Sequence, residues 1–208
     1  MEPELNPETE QKSAELPARK PADKKQNFTL YIHDLVYMLA AVMLVLMVFF
    51  RIIIVDGPSM QNTLQNGDYM LLVSNLFCGE FEAGDVVVIS QHTYEDGKPI
   101  VKRIIATEGQ TVDIDFENGI VYVDGVALDE PYISTQTKLR EGAEFPQTVE
   151  EGCVFVLGDN RMNSRDSRYP GIGQIDTREL LGKVVFLMFP GTGYSSAGRD
   201  FSRIGVVS

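Results

Sequence analysis

Between Gly158 and Gly173 the chain reads Gly-Asp-Asn-Arg-Met-Asn-Ser-Arg-Asp-Ser-Arg-Tyr-Pro-Gly-Ile-Gly, a concentration of charged and hydroxyl groups directly behind the apolar run Cys153–Leu157. Ordering so many polar groups is costly unless they satisfy one another or a substrate. Asp166 and Arg168, two apart, could simply pair across one face of an extended segment. Two further positions have reactive side chains in informative surroundings. Ser59 follows Gly57-Pro58, where proline stiffens the backbone and presents the hydroxyl at a turn, although a serine there could equally cap a short helix. Lys102 lies between Ile100 and Ile104 on one face of a strand. There it either snorkels to water or is desolvated, and a desolvated lysine loses its proton more easily and can then deprotonate a serine hydroxyl. At a pKa of about 10.4 only about one lysine in a thousand is neutral near pH 7.4, and lowering the pKa by about two units recovers most of that factor.

Other chemistries have little to draw on. The two cysteines, Cys78 and Cys153, are far apart and without metal-ligand spacing, so no zinc site and no cofactor is expected. Each thiol is expected to be a small unpaired side chain rather than half of a disulfide. The only histidines are His33, ahead of an apolar run, and His92, beside the turn residues Glu95-Asp96-Gly97, which leaves a Ser-His-Asp triad almost no base. A formal net charge of −12 disfavours nucleic acid as a partner.

The elements that must position Ser59 and Lys102 read as strands. Tyr69–Val73, Asp85–Ile89, Ile100–Ala106, Thr111–Phe116, Ile120–Val123, Val154–Leu157 and Lys183–Phe189 are short, rich in β-branched residues and separated by Gly, Asp and Asn. Asn118-Gly119 predicts a two-residue hairpin and Asp124-Gly125 a further turn. Residues 129–152 have no clear period. The fold class expected is mainly β, a coiled barrel or sandwich over residues 56–208. Ahead of it, residues 1–30 lack large apolar side chains in number and read as a disordered tail. Residues 31–55 contain an uninterrupted apolar stretch, Leu35–Phe50, and read as a transmembrane anchor. A buried core helix would show a polar face and a signal peptide a small-residue cleavage site, and neither is present. Arg19, Lys20, Lys24 and Lys25 precede the span, so the N-terminus is expected in the cytoplasm and the rest outside the plasma membrane, with Arg51 snorkelling to the outer interface.

Gly57-Pro-Ser-Met60, Gly84-Asp-Val-Val-Val-Ile89, Lys102-Arg-Ile-Ile105 and Gly158-Asp-Asn-Arg161 through Asp166-Ser-Arg168 follow in order the boxes of type I signal peptidases, which the chain resembles from the span to about Phe189. Asn118-Gly119 to Asp124-Gly125, followed by Leu128-Asp-Glu-Pro-Tyr132, is similar to the same family. The resemblance implies a serine endopeptidase with Ser59 as nucleophile and Lys102 as general base, acting on secreted preproteins at the lipid bilayer and cutting their signal peptides after small residues. It further implies that the Ser164 hydroxyl orients the lysine amine, that Asp166 and Arg168 form a supporting ion pair, and that Asp159 and Arg103 are structural members of the boxes. The Ser59 backbone N–H would hold the oxyanion; some family members add the hydroxyl of a serine two places earlier, but Gly57 has none, so a second donor would be backbone, such as Gly57, or solvent. Met162 departs from the acidic residue expected between the arginine and asparagine of the last box. A self-cleaving Ser-Lys protein similar to SOS-type repressors is opposed by the span and by the lack of a DNA-binding region. A non-catalytic anchored module that binds extended peptides is the remaining alternative.

Overall fold

The computed structural model describes residues 24–91, 94, 97–194 and 198–207. Most of the expected tail, residues 1–23, and also His92, lie outside them. Residues from Lys24 are helical, so the tail reading does not extend to residue 30. Helix α1 runs Lys24–Phe49. Its apolar part, Phe28–Phe49, is 22 residues long with none of its most apolar window buried. At 1.5 Å per residue it is roughly 33 Å long, enough to cross a hydrocarbon core of about 30 Å.

The span was expected to continue to residue 55, and here the structure corrects the sequence reading. Phe50–Ile54 is strand β1, paired antiparallel with β2, Tyr69–Ser74. Apolarity alone does not separate helix from strand; the isoleucines at 52–54 are β-branched and favour the extended chain once partners for it exist. The remaining strands are β3 (Val86–Ile89), β4 (Ile100–Thr107), β5 (Thr111–Asp115), β6 (Ile120–Val123), β7 (Val126–Ala127), β8 (Gln147–Thr148), β9 (Cys153–Leu157), β10 (Ile175–Asp176), β11 (Leu180–Phe189) and β12 (Gly205–Val206). All seven strands expected from the sequence are present, and the short β7, β8, β10 and β12 carry too few residues to show a period.

One sheet has the order β1-β2-β11-β3-β4-β9-β10, with β12 added beside β11, and every neighbouring pair is antiparallel. Register shifts interrupt β11 and β4, and such bulges bend and twist a sheet, so it curls rather than lying flat. Gly182 sits at one of them: a Cβ there would lie 2.0 Å from Val73 O, and its φ is +152°. A smaller sheet, β7-β6-β5-β8, packs on the first through Val112, Ile114, Val121 and Val123 against Ile105, Phe155 and Leu157.

The turn at Asn118-Gly119 is longer than the two residues expected from its sequence. Asp115 pairs with Ile120, so Phe116–Gly119 is a four-residue turn, and the Asp115 carboxylate accepts hydrogen bonds from the Glu117 and Asn118 N–H groups. The two-residue turn is instead Asp124-Gly125, both with positive φ (51° and 79°), as a type I′ turn requires.

Candidate active site

Ser59 is held by a turn that the core anchors from below. Met60 and Leu64, four apart, are both buried in a cluster with Val55, Met70, Leu72 and Val88, and the Leu64 N–H donates to Met60 O at 2.8 Å. Asn160 holds the turn from the other side. Its backbone N–H donates to Ser59 O at 2.9 Å and its side-chain amide to Pro58 O at 3.1 Å. Nothing in the spacing of Asn160 along the sequence signals a contact across 101 residues. Gly158 is required here too, because a Cβ would lie 2.2 Å from Ser164 Oγ and 2.6 Å from Ser59 O. Ser164 and the Ser59 backbone thus close on the same glycine.

Lys102 projects from β4 with 3% exposure, and its Nζ lies 2.9 Å from Ser59 Oγ and 3.0 Å from Val101 O. Burial pushes the amine down from its ordinary 10.5 to about 8; Asp166, Asp159 and Glu141 pull it part of the way back. Among the described residues Lys102 has no carboxylate within salt-bridge distance. The desolvated alternative for this lysine is therefore the one realised. Ile100, Val101, Val88 and Met60 line a cleft of about 230 Å³ with Lys102 and Ser59, and Ile53–Asp56 form its other wall.

The segment behind β9 is a web of buried ion pairs. Asp166 accepts from Arg168 Nε at 2.8 Å, from the Gly158 N–H at 3.0 Å and from Ser164 Oγ at 2.9 Å. Arg168 also reaches the carbonyls of Leu139 and Arg161. Asp159 pairs with Arg103 through two hydrogen bonds, at 3.0 and 2.8 Å, and accepts from Thr63 Oγ1 at 2.5 Å. Thr63 lies in the turn begun by Ser59, so this pair also fixes the nucleophile's side of the site. Arg161, missed as a site residue by the sequence reading, is fully buried and donates to Glu130 and Thr137 and to the Gly158 carbonyl. Glu130 and Thr137 come from the region without a period, which is why spacing gave no hint of them.

Two expected contacts are absent. The Ser164 hydroxyl donates to Asp166, and among the described residues it makes no hydrogen bond to the Lys102 amine. The Gly57 N–H is already donated to Asn66 Oδ1 at 3.0 Å, so it is not a free oxyanion donor. The Ser59 N–H has no acceptor among the described residues and remains available. No group of three or more His, Cys, Asp and Glu side chains converges as a metal site there would require, again among the described residues. Cys78 and Cys153 are both free thiols; Cys78 sits in the turn after β2 rather than at the end of a strand.

The family model described as signal peptidase, peptidase S26, matches residues 29–189. The chain belongs to this family. It is a serine peptidase of mainly β fold. Signal peptidase I of Bacillus licheniformis is 32% identical over 179 residues, covering 82% of this chain and 94% of that protein. Signal peptidase I T of Bacillus subtilis strain 168 is 34% identical over 193 residues, covering 88% and 95%. Among solved structures, a crystal structure of a signal peptidase I from Enterococcus faecalis is 28% identical, covers 50% of this chain and 96% of that one, and gives a TM-score of 0.41. The family is membrane-associated, and α1 fits a single span.

Proposed function

We propose that this peptidase removes signal peptides from exported preproteins with a Ser59–Lys102 dyad, on the outer face of the membrane that α1 crosses. The observation that carries the dyad is the 2.9 Å approach of Lys102 Nζ to Ser59 Oγ at a buried amine with no carboxylate partner. Neutral Lys102 takes the Ser59 proton as Oγ attacks the scissile carbonyl. The oxyanion forms beside the Ser59 N–H, the resulting ammonium gives its proton to the leaving amine, and the acyl-enzyme remains. Lys102 then takes a proton from water as that water attacks the ester, and returns it to Ser59 Oγ as the ester bond breaks, which releases the signal peptide and restores the neutral amine. The cleft beside Ser59, lined by Ile53, Met60, Val88 and Ile100, has room for small side chains before the cut. Ser164 acts one step away: it carries the Asp166–Arg168 pair against Gly158 and, through it, the Ser59 carbonyl. The N-terminus lies in the cytoplasm, as the lysines and arginine ahead of the span favour.

Incubating the detergent-solubilised chain with a preprotein tests the reading directly. A single cut at the signal site, lost in Ser59→Ala, is expected. Cleavage that persists in Ser59→Ala would overturn it.

A further inference from the structure

The segment after Phe189 lies beyond the residues matched by the family model. In the structure it returns to the sheet and grips the back of the Ser59 turn. β12 pairs with β11, Val207 N donates to Val185 O at 3.2 Å, and Val207 packs on the cluster that contains Val55, Met60 and Leu64. Nearer Phe189 the backbone crosses residues 66–68 so closely that a Cβ on Gly191 would lie 2.2 Å from Asn66 O and 2.7 Å from Asp68 N.

We propose that Arg203 is a positioning residue for the Ser59 turn and that this segment is the latch through which it acts. The inference rests on the reading of Ser59 as nucleophile. Among the described residues the Arg203 side chain makes three hydrogen bonds, all to residues 63–68: two to the Asp68 carboxylate, at 3.0 and 2.7 Å, and one to Thr63 O, at 3.2 Å. Asp68 is fully buried, and its carboxylate also accepts from the Gln65 and Gly191 N–H groups. Arg203 is the cation that compensates its charge. Residues 66–68 in turn carry the strand that leads into Ser59. Val55 N donates to Asp68 O and Gly67 N to Val55 O, both at 2.9 Å, and the Gly57 N–H donates to the Asn66 side chain at 3.0 Å. Releasing Arg203 therefore frees the two points, Val55 and Gly57, that fix the approach to Ser59. A displacement of about 1 Å at a reacting atom can cost on the order of a hundredfold in rate.

The test is the rate at which a small β-lactone acylates Ser59, its ring opening as Oγ attacks, read by mass spectrometry with peptide mapping, at a temperature where circular dichroism shows each variant folded. So small a reagent needs no extended substrate, so its rate reports the nucleophile and its base rather than peptide binding. Arg203→Ala is expected to acylate at least tenfold more slowly than the unmodified chain, with partial recovery in Arg203→Lys. With a preprotein, kcat falls while KM stays close to its original value. Asn66→Ala cuts the link at its other end and leaves the Asp68–Arg203 pair intact. It must show the same loss, and with Arg203→Lys it decides the matter if Arg203→Ala does not fold. Unchanged acylation rates in folded Arg203→Ala or Asn66→Ala overturn the latch while leaving the dyad standing. Failure of the reagent to modify Ser59 in the unmodified chain overturns both.

Discussion

Lys102 and Arg103 stand side by side on β4, both buried, at 3% and 1% exposure. Their side chains leave opposite faces of the strand and meet opposite chemistry. Arg103 finds the Asp159 carboxylate in a two-bonded pair, the Gly84 carbonyl at 2.8 Å and the ring of Tyr132 at 4.0 Å. Its charge is matched. Lys102 finds a hydroxyl and a carbonyl but no carboxylate. A cation buried with a matched anion is structural, whereas one buried against neutral groups is pushed toward its neutral form and becomes a base. Arg161 with Glu130 and Arg168 with Asp166 follow the Arg103 pattern. Among the described residues the four buried cations thus divide into three paired with carboxylates and one, Lys102, that is not, which is the one the proposed dyad uses.

The largest effect that would sharpen this division is on activity. Lys102→Met and Ser59→Ala should each lower preprotein cleavage by on the order of 10³-fold or more, since a general base alone contributes about 10²- to 10⁴-fold and no substitute lies beside either residue. A Lys102→Met enzyme within tenfold of the original would break the comparison.

Stability comes next, and the two neighbours should respond with opposite signs. Arg103→Met strands Asp159 without its cation and should cost roughly 3–5 kcal/mol in a denaturant titration. Lys102→Met should be stabilising at neutral pH. The folded pKa lies near 8 and the unfolded one near 10.5, so folding disfavours the proton. That cost is full below pH 8 and fades as pH rises from 8 to 10.5; its size is on the order of a few kcal/mol. A loss of stability in both variants would mean that the lysine is as well compensated as the arginine.

Smaller still, Ser164→Ala removes one donor from Asp166 and no contact of the lysine, and should slow cleavage by about tenfold, corresponding to one hydrogen bond of about 1.4 kcal/mol. A loss equal to that of Lys102→Met would place Ser164 in the proton transfer itself. Arg178→Ala removes an exposed pair with Asp176 and should leave both the melting temperature and kcat/KM unchanged.

The strands that carry the site were legible because each shows a run of β-branched residues between turn signals, and Lys102 and Arg103 separate onto two faces by simple alternation. Contacts across sequence were not. Gly57 reads as an open backbone donor until Asn66 folds back on it. Whether the Ser164 hydroxyl meets the Lys102 amine or the Asp166 carboxylate depends on the geometry of the loop between Ser164 and Asp166. The four-residue turn at Phe116–Gly119 escaped because the Asp115 side chain, not the Asn-Gly dipeptide, sets its length. Residues 50–54 were misread for a related reason: four apolar residues around Arg51 carry no period that distinguishes the end of a span from an edge strand.

The claim that Lys102 is a base because it is buried without a matching anion is tested most directly by the pH dependence of kcat/KM for preprotein cleavage. Activity should rise as the amine loses its proton, with an ascending limb near pH 8. Ile100 shares the cleft with Lys102, whereas Ile104 is wholly buried in the core below, so Ile100→Gln is the substitution that wets the amine without hollowing the core. It should move the limb upward, toward the ordinary value of 10.5. An ascending limb that sits near pH 10 in both enzymes would contradict the account and make Lys102 an ordinary solvated lysine.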